Sequence, residues 1–122
     1  MESEFEVLEA LDPPPSLAAT GKHEPVTFRV GAVQQRWHPD PAEHEEALAT
    51  GARIAAERGA QLICMQELTL SKYFAQDRGG PSAVGVEPED PADGPTFRFA
   101  QRVARETGAH VHASLFERTD DL

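Results

Sequence analysis

Apolar positions first keep a regular period at "VTFRVGAVQQ". Val26, Phe28, Val30 and Ala32 alternate with Thr27, Arg29, Gly31 and Val33, the pattern of a strand with one richly apolar face. The period changes in "HPDPAEHEEALATGARIAAERG", where Ala47, Leu48, Gly51, Ile54 and Ala55 recur at helical spacing. Asp40 stands where an N-cap belongs, Pro41 suits the first helical position, and Glu43 occupies the place of a capping-box acid. Gly59 ends that helix, and "AQLICMQ" follows as a short apolar strand of buried type. Residues 71–95 are irregular, and a loop of this length is usually functional or disordered. Pro95 then opens a second helix with Phe99, Ala100, Val103, Ala104 and Thr107 on one face. Gly108 closes it, and "AHVHASLFE" reads as a third strand.

Strand, helix, strand, long loop, helix, strand is the order of an α/β layered sheet with crossover connections. The two helix exits are alike, "ERGAQLICM" and "ETGAHVHAS". Residues 1–24 do not share this order. They hold Pro13 to Pro15, many acids and little apolar periodicity, so an acidic, disordered tail is expected, with "FEVLEAL" able to form a helical turn on a partner. Three strands and two helices make a thin domain. Residues 25–122 therefore read as the front part of a larger one.

Charge narrows the range of partners. The 122 residues carry 11 Lys+Arg and 21 Asp+Glu, a net charge of −10. Such a surface repels phosphate backbones and anionic lipid, so neither nucleic acid nor membrane is an expected partner. No apolar run approaches a membrane span, and the acidic start lacks the pattern of a secretory signal. The single cysteine excludes an internal disulfide and a Cys-rich zinc site. A cytoplasmic protein is the expectation.

Chemistry is suggested at "QLICMQELTL". Glu67 lies where the second strand ends, and open α/β sheets bind ligands beyond the carboxyl ends of their strands. An acid directly after an apolar run is costly to desolvate unless it has a partner or a task. The plain alternative is a solvated loop acid. Cys64 is three residues earlier, so on an extended strand it points to the opposite side, roughly 10 Å away. It lies within an apolar run, where a free cysteine is commonly a small hydrophobe. His110 and His112 form an H-x-H pair on one face of the third strand, a spacing that can supply two metal ligands and hence a rival, metal-dependent hydrolase reading. No matching His/Asp cluster accompanies it. His44 stands among Glu43, Glu45 and Glu46, where a solvated helix face is the simpler account. "GAVQQRW" lacks the dinucleotide-binding glycines. Trp37, Tyr73 and Phe74 fit core or pocket wall equally.

The stretch "FRVGAVQQRWHPDPAEHEEALATGARIAAERGAQLICMQELTLSKYFAQ" resembles the opening of the carbon–nitrogen hydrolase (nitrilase) superfamily. "KYFAQD" and "DGPTFRFAQRVARETGAHVHASLFER" are most similar to its N-carbamoylputrescine amidase and β-ureidopropionase branch. The resemblance covers roughly residues 27–118, and it implies the N-terminal part of an α-β-β-α sandwich that assembles into homo-oligomers. It also implies hydrolysis of an amide or N-carbamoyl amine by a Glu base, a Cys nucleophile and a charge-stabilising Lys, with no cofactor and no metal. Of these three, only the Glu falls in this chain, at Glu67. The Lys and Cys are expected beyond Leu122, which leaves Cys64 structural and this chain alone inactive. Tyr73 is the weaker candidate, for substrate contact. Gln66 departs from the proline common before the Glu. A non-catalytic α/β binding fragment is the alternative.

Overall fold

The computed structural model describes residues 5–12, 14–18, 21 and 27–120. In chain order it has β1 (Val30–Val33), α1 (Pro41–Glu57), β2 (Leu62–Met65), a single 3-10 turn (Phe74–Gln76), α2 (Gly80–Ala83), α3 (Pro95–Thr107) and β3 (His110–His112). The strands form one parallel sheet in the order β1-β2-β3. Val30 is level with Leu62 and His110, and Ala32 with Cys64 and His112. The α/β class matches expectation. The start of the first strand as read from sequence, Val26, is outside the described residues.

Both long helices lie on one side of the sheet, α1 against β1 and β2, α3 against β3 and α1. Leu48 of α1, Ile63 of β2 and Phe99 and Val103 of α3 meet in the core with Val33, Ala49, Ala52, Met65 and Ala109. Each large side chain buried here contributes about 1.5–3 kcal/mol.

The covered face of β1 is not the one with the most apolar residues. Gly31 and Val33 face the helices, while Phe28 and Val30 remain 53% and 54% exposed. Close approach explains the choice. A Cβ on Gly31 would come within 2.8 Å of the Ala55 Cβ, and one on Gly51 within 2.6 Å of Val33 Cγ1. Small residues on facing surfaces let α1 sit down on β1. The apolar residues of the other face are left without a covering layer among the described residues.

The N-cap forms as its sequence implies, with the Glu43 N–H donating to Asp40 Oδ1 at 2.8 Å. The reciprocal half of a capping box does not form, because Glu43 turns to His38 Nδ1 at 3.3 Å. At the far end of α3, Gly108 takes the left-handed conformation at φ 72°. Arg53 joins Glu46 at 2.8 Å and Glu106 at 3.4 Å, tying α1 to α3. The hydrogen bond from Arg53 holds the Glu46 carboxyl below its ordinary range. Stability from that pair is present above the ordinary carboxylate range and is lost as pH falls through the lowered value. On an exposed surface it amounts to about 0–1 kcal/mol.

The long loop is pinned rather than free. The Glu89 N–H donates to Phe116 O at 2.8 Å, and the Arg118 N–H donates to Glu89 O at 2.9 Å. The Glu89 carboxylate accepts the Thr96 N–H at 2.7 Å, satisfying a donor of the first turn of α3 that the N-cap Gly94 has no side chain to reach. Phe74 meets Phe116 edge-on at 5.1 Å.

Part of the N-terminal tail is also described. Residues 5–12 have no helix or strand; Phe5 packs against the core, and Glu9 accepts from Arg58 at 2.8 Å. The expected disorder also concerns residues 1–4, 13, 19, 20 and 22–24, which lie outside the described residues.

The two faces of β2 give a test. Ile63→Ala should cost about 2–5 kcal/mol in chemical denaturation. Cys64→Ala, on the other face, should cost about 1 kcal/mol or less. Equal losses would contradict the one-sided core.

Candidate active site

The second strand ends with Met65 turned into the core, 6% exposed. Gln66 and Glu67 follow at its carboxyl end, and the Glu67 side chain is exposed. The chain then bends sharply. Leu68 has φ 51°, the one positive φ outside glycine among the described residues. A non-glycine residue in that region costs roughly 1–3 kcal/mol and persists only where its surroundings over-determine it.

Those surroundings can be named. Leu68 is 7% exposed and Thr69 fully buried. The Thr69 N–H donates to Ser114 O at 2.9 Å, and the Ser114 N–H donates back to Thr69 Oγ1 at 3.0 Å. Thr69 Oγ1 donates to Gln66 O at 2.9 Å, closing the bend on itself. The His44 ring, at Nε2, donates to Thr69 O at 2.9 Å. On the other flank, Gln66 Oε1 accepts the Gln35 N–H at 2.9 Å. Gln66 thus binds the end of β1 to the bend through its side-chain oxygen, a bond a proline at this position lacks. Each of these tethers falls on Gln66 or Thr69. Glu67, between them, is held by its neighbours and offers its carboxylate outward.

The other candidates are dispersed. Cys64 is a half-buried free thiol on the uncovered face, level with Ala32 and His112. His110 and His112 share that face, exposed, with Leu62 and Cys64 as their nearest β2 partners. Among the described residues, no three His, Cys, Asp or Glu side chains are grouped to hold a metal ion. Tyr73, 42% exposed, precedes the 3-10 turn.

His44 corrects the sequence reading. It is buried, 1% exposed, not part of a solvated face. Its ring lies 4.6 Å from that of Trp37. The available signal was its spacing: His44, Leu48 and Gly51 form one helical stripe, whereas Glu43 and Glu46 flank it in solvent.

Comparison with known proteins agrees with the fold. The carbon–nitrogen hydrolase family model matches residues 29–122. The chain is 31% identical over 94 residues to Hydrolase MT0498 and to Hydrolase Rv0480c, from two strains of Mycobacterium tuberculosis. Each match takes in 77% of this chain and 31% of the relative, so the chain spans about a third of the length of these curated relatives.

The Thr69 hydroxyl is open to test. Thr69→Val keeps the shape but leaves the Ser114 N–H and Gln66 O without their partner. A loss of about 1–3 kcal/mol is expected on urea unfolding. A change within about 0.5 kcal/mol, as for a surface site, would show that the bend does not depend on it.

Proposed function

The chain belongs to the carbon–nitrogen hydrolase family, and we propose that Glu67 is the general base of a hydrolase acting on an N-carbamoyl amine or related amide. The observation that carries this reading is the bend itself. An exposed carboxylate stands at the carboxyl end of the central strand, beside a left-handed Leu68 and between two residues held by hydrogen bonds, the half-buried Gln66 and the fully buried Thr69. Strain maintained by so many contacts is a feature of functional sites. The branch assignment rests on "KYFAQD" and on the likeness of residues 93–118 to N-carbamoylputrescine amidase and β-ureidopropionase.

In this reading Glu67 takes the proton from a cysteine thiol supplied by a later segment, and the thiolate attacks the carbonyl carbon. A lysine, also from a later segment, faces the developing oxyanion. The C–N bond breaks as Glu67 returns the proton to the leaving nitrogen, leaving a thioester. Water, deprotonated by Glu67, then attacks the thioester carbon, and the thiol is re-formed. Cys64, three residues before Glu67 on an extended strand, has a packing role. Tyr73 contributes a half-exposed ring to the substrate pocket. A cytoplasmic homo-oligomer is the proposed whole. No helix among the described residues is long and apolar enough to cross a membrane.

Glu67→Gln in the full-length protein should lower turnover of N-carbamoyl amines about 10²–10⁴-fold with stability unchanged. Full activity in that variant would remove Glu67 from the mechanism. Cys64→Ala should stay active, as should enzyme treated with a chelator. Bound zinc that disappears when His110 and His112 are both changed to Ala would favour metal chemistry instead. Residues 1–122 alone should release no ammonia from these substrates.

A further inference from the structure

We propose that His44 is the positioning residue of the Glu67 bend, an inference that rests on reading Glu67 as the general base. The proposed reaction gives this buried ring no role, yet three parts of the chain converge on it. It stands in the first turn of α1, receives the segment leaving β1, and holds the bend that follows β2.

The partners assign its tautomer. A carbonyl oxygen only accepts, so the 2.9 Å contact with Thr69 O puts the ring proton on Nε2. A main-chain N–H only donates, so the His38 N–H at 3.4 Å requires a bare Nδ1. The Gln35 side-chain amide lies 3.3 Å from the same nitrogen and donates to His44 O at 3.1 Å. Gln35 also donates its main-chain N–H to Gln66 Oε1, so the two flanks of Glu67 are linked through Gln35 and His44.

Packing alone does not call for a histidine here. A phenylalanine would fill a comparable volume and leave no polar nitrogen to satisfy. What only a donor at the Nε2 position supplies is the bond to Thr69 O, the one tether in this network that reaches the bend from α1. Without it, Thr69 keeps its bonds to Gln66 and Ser114 but can rotate with that segment. Leu68 then loses part of what holds it left-handed, and the Glu67 carboxylate moves. A misplacement of about 1 Å at a reacting group can cost about 10²-fold in rate.

The experiment uses the full-length protein, labelled at the histidine ring nitrogens and at leucine, phenylalanine and valine. NMR of the native protein should show the His44 proton on Nε2 and the left-handed backbone signature at Leu68. His44→Phe should lose the Leu68 signature and lower kcat about 10²-fold with KM little changed, while Phe99 and Val103 signals stay in place. His44→Gln, whose amide offers both a donor and an acceptor, should recover the Leu68 signature and most of kcat. A proton on Nδ1 in the native protein overturns the inference even if His44→Phe fails to fold. So does a folded His44→Phe protein with Leu68 or kcat unchanged, or a His44→Gln protein no better than His44→Phe. Failure of the underlying reading is seen separately, as activity surviving in Glu67→Gln.

Discussion

Thr69 is fully buried and carries three polar groups, and a buried polar group left unpaired costs about 1–3 kcal/mol. Its N–H, its carbonyl and its hydroxyl must therefore all find partners. The segment after β3 answers through Ser114, α1 through His44, and the end of β2 through Gln66. One residue's hydrogen-bond requirement thus brings three elements to a common point. The left-handed Leu68, the exposure of Glu67 and the position of the chain after β3 all follow from meeting it. The same requirement makes the bend sensitive to distant residues, since Ser114 and His44 are far from it in sequence.

Much of the scaffold was legible because it is periodic. The stripe Leu48, Gly51, Ala55 and the stripe Phe99, Val103 mark their helices, and Asp40, Pro41 and Gly108 mark their ends. Glu67 stands out as an acid closing an apolar run, and the structure places it exposed at the carboxyl end of β2, where the proposed role would need it. Other features were not legible, for physical reasons. Leu68 has no glycine or asparagine to advertise a positive φ; tertiary contacts impose it. His44 is hidden by acidic neighbours that point to solvent. On β1 the alternation suggests a core face of Val30 and Ala32. Fit decides instead, since α1 approaches only over Gly31 and against Val33. The Glu89 carboxylate serves α3 across an irregular loop, a pairing no local pattern encodes.

The two sides of the sheet are unequal among the described residues. Parallel sheets are ordinarily covered on both faces. Here one face carries Phe28, Val30, Leu62 and Cys64 with no layer over them among the described residues. The chain spans about a third of the length of the curated relatives it matches. Cys64, level with His112 on that side, is half-buried in this chain.

The order of the strands has a further consequence, for the hierarchy of local opening. With β2 between β1 and β3, it is the strand hydrogen-bonded along both edges. Fraying of either outer strand leaves β2 paired on its other side, so exchange of its amides with solvent requires the rarest and largest openings of the sheet. Glu67 lies two residues beyond the end of this strand, with Gln66 between them. Its carboxylate is exposed, while the strand that leads into the bend is the slowest-exchanging part of the sheet.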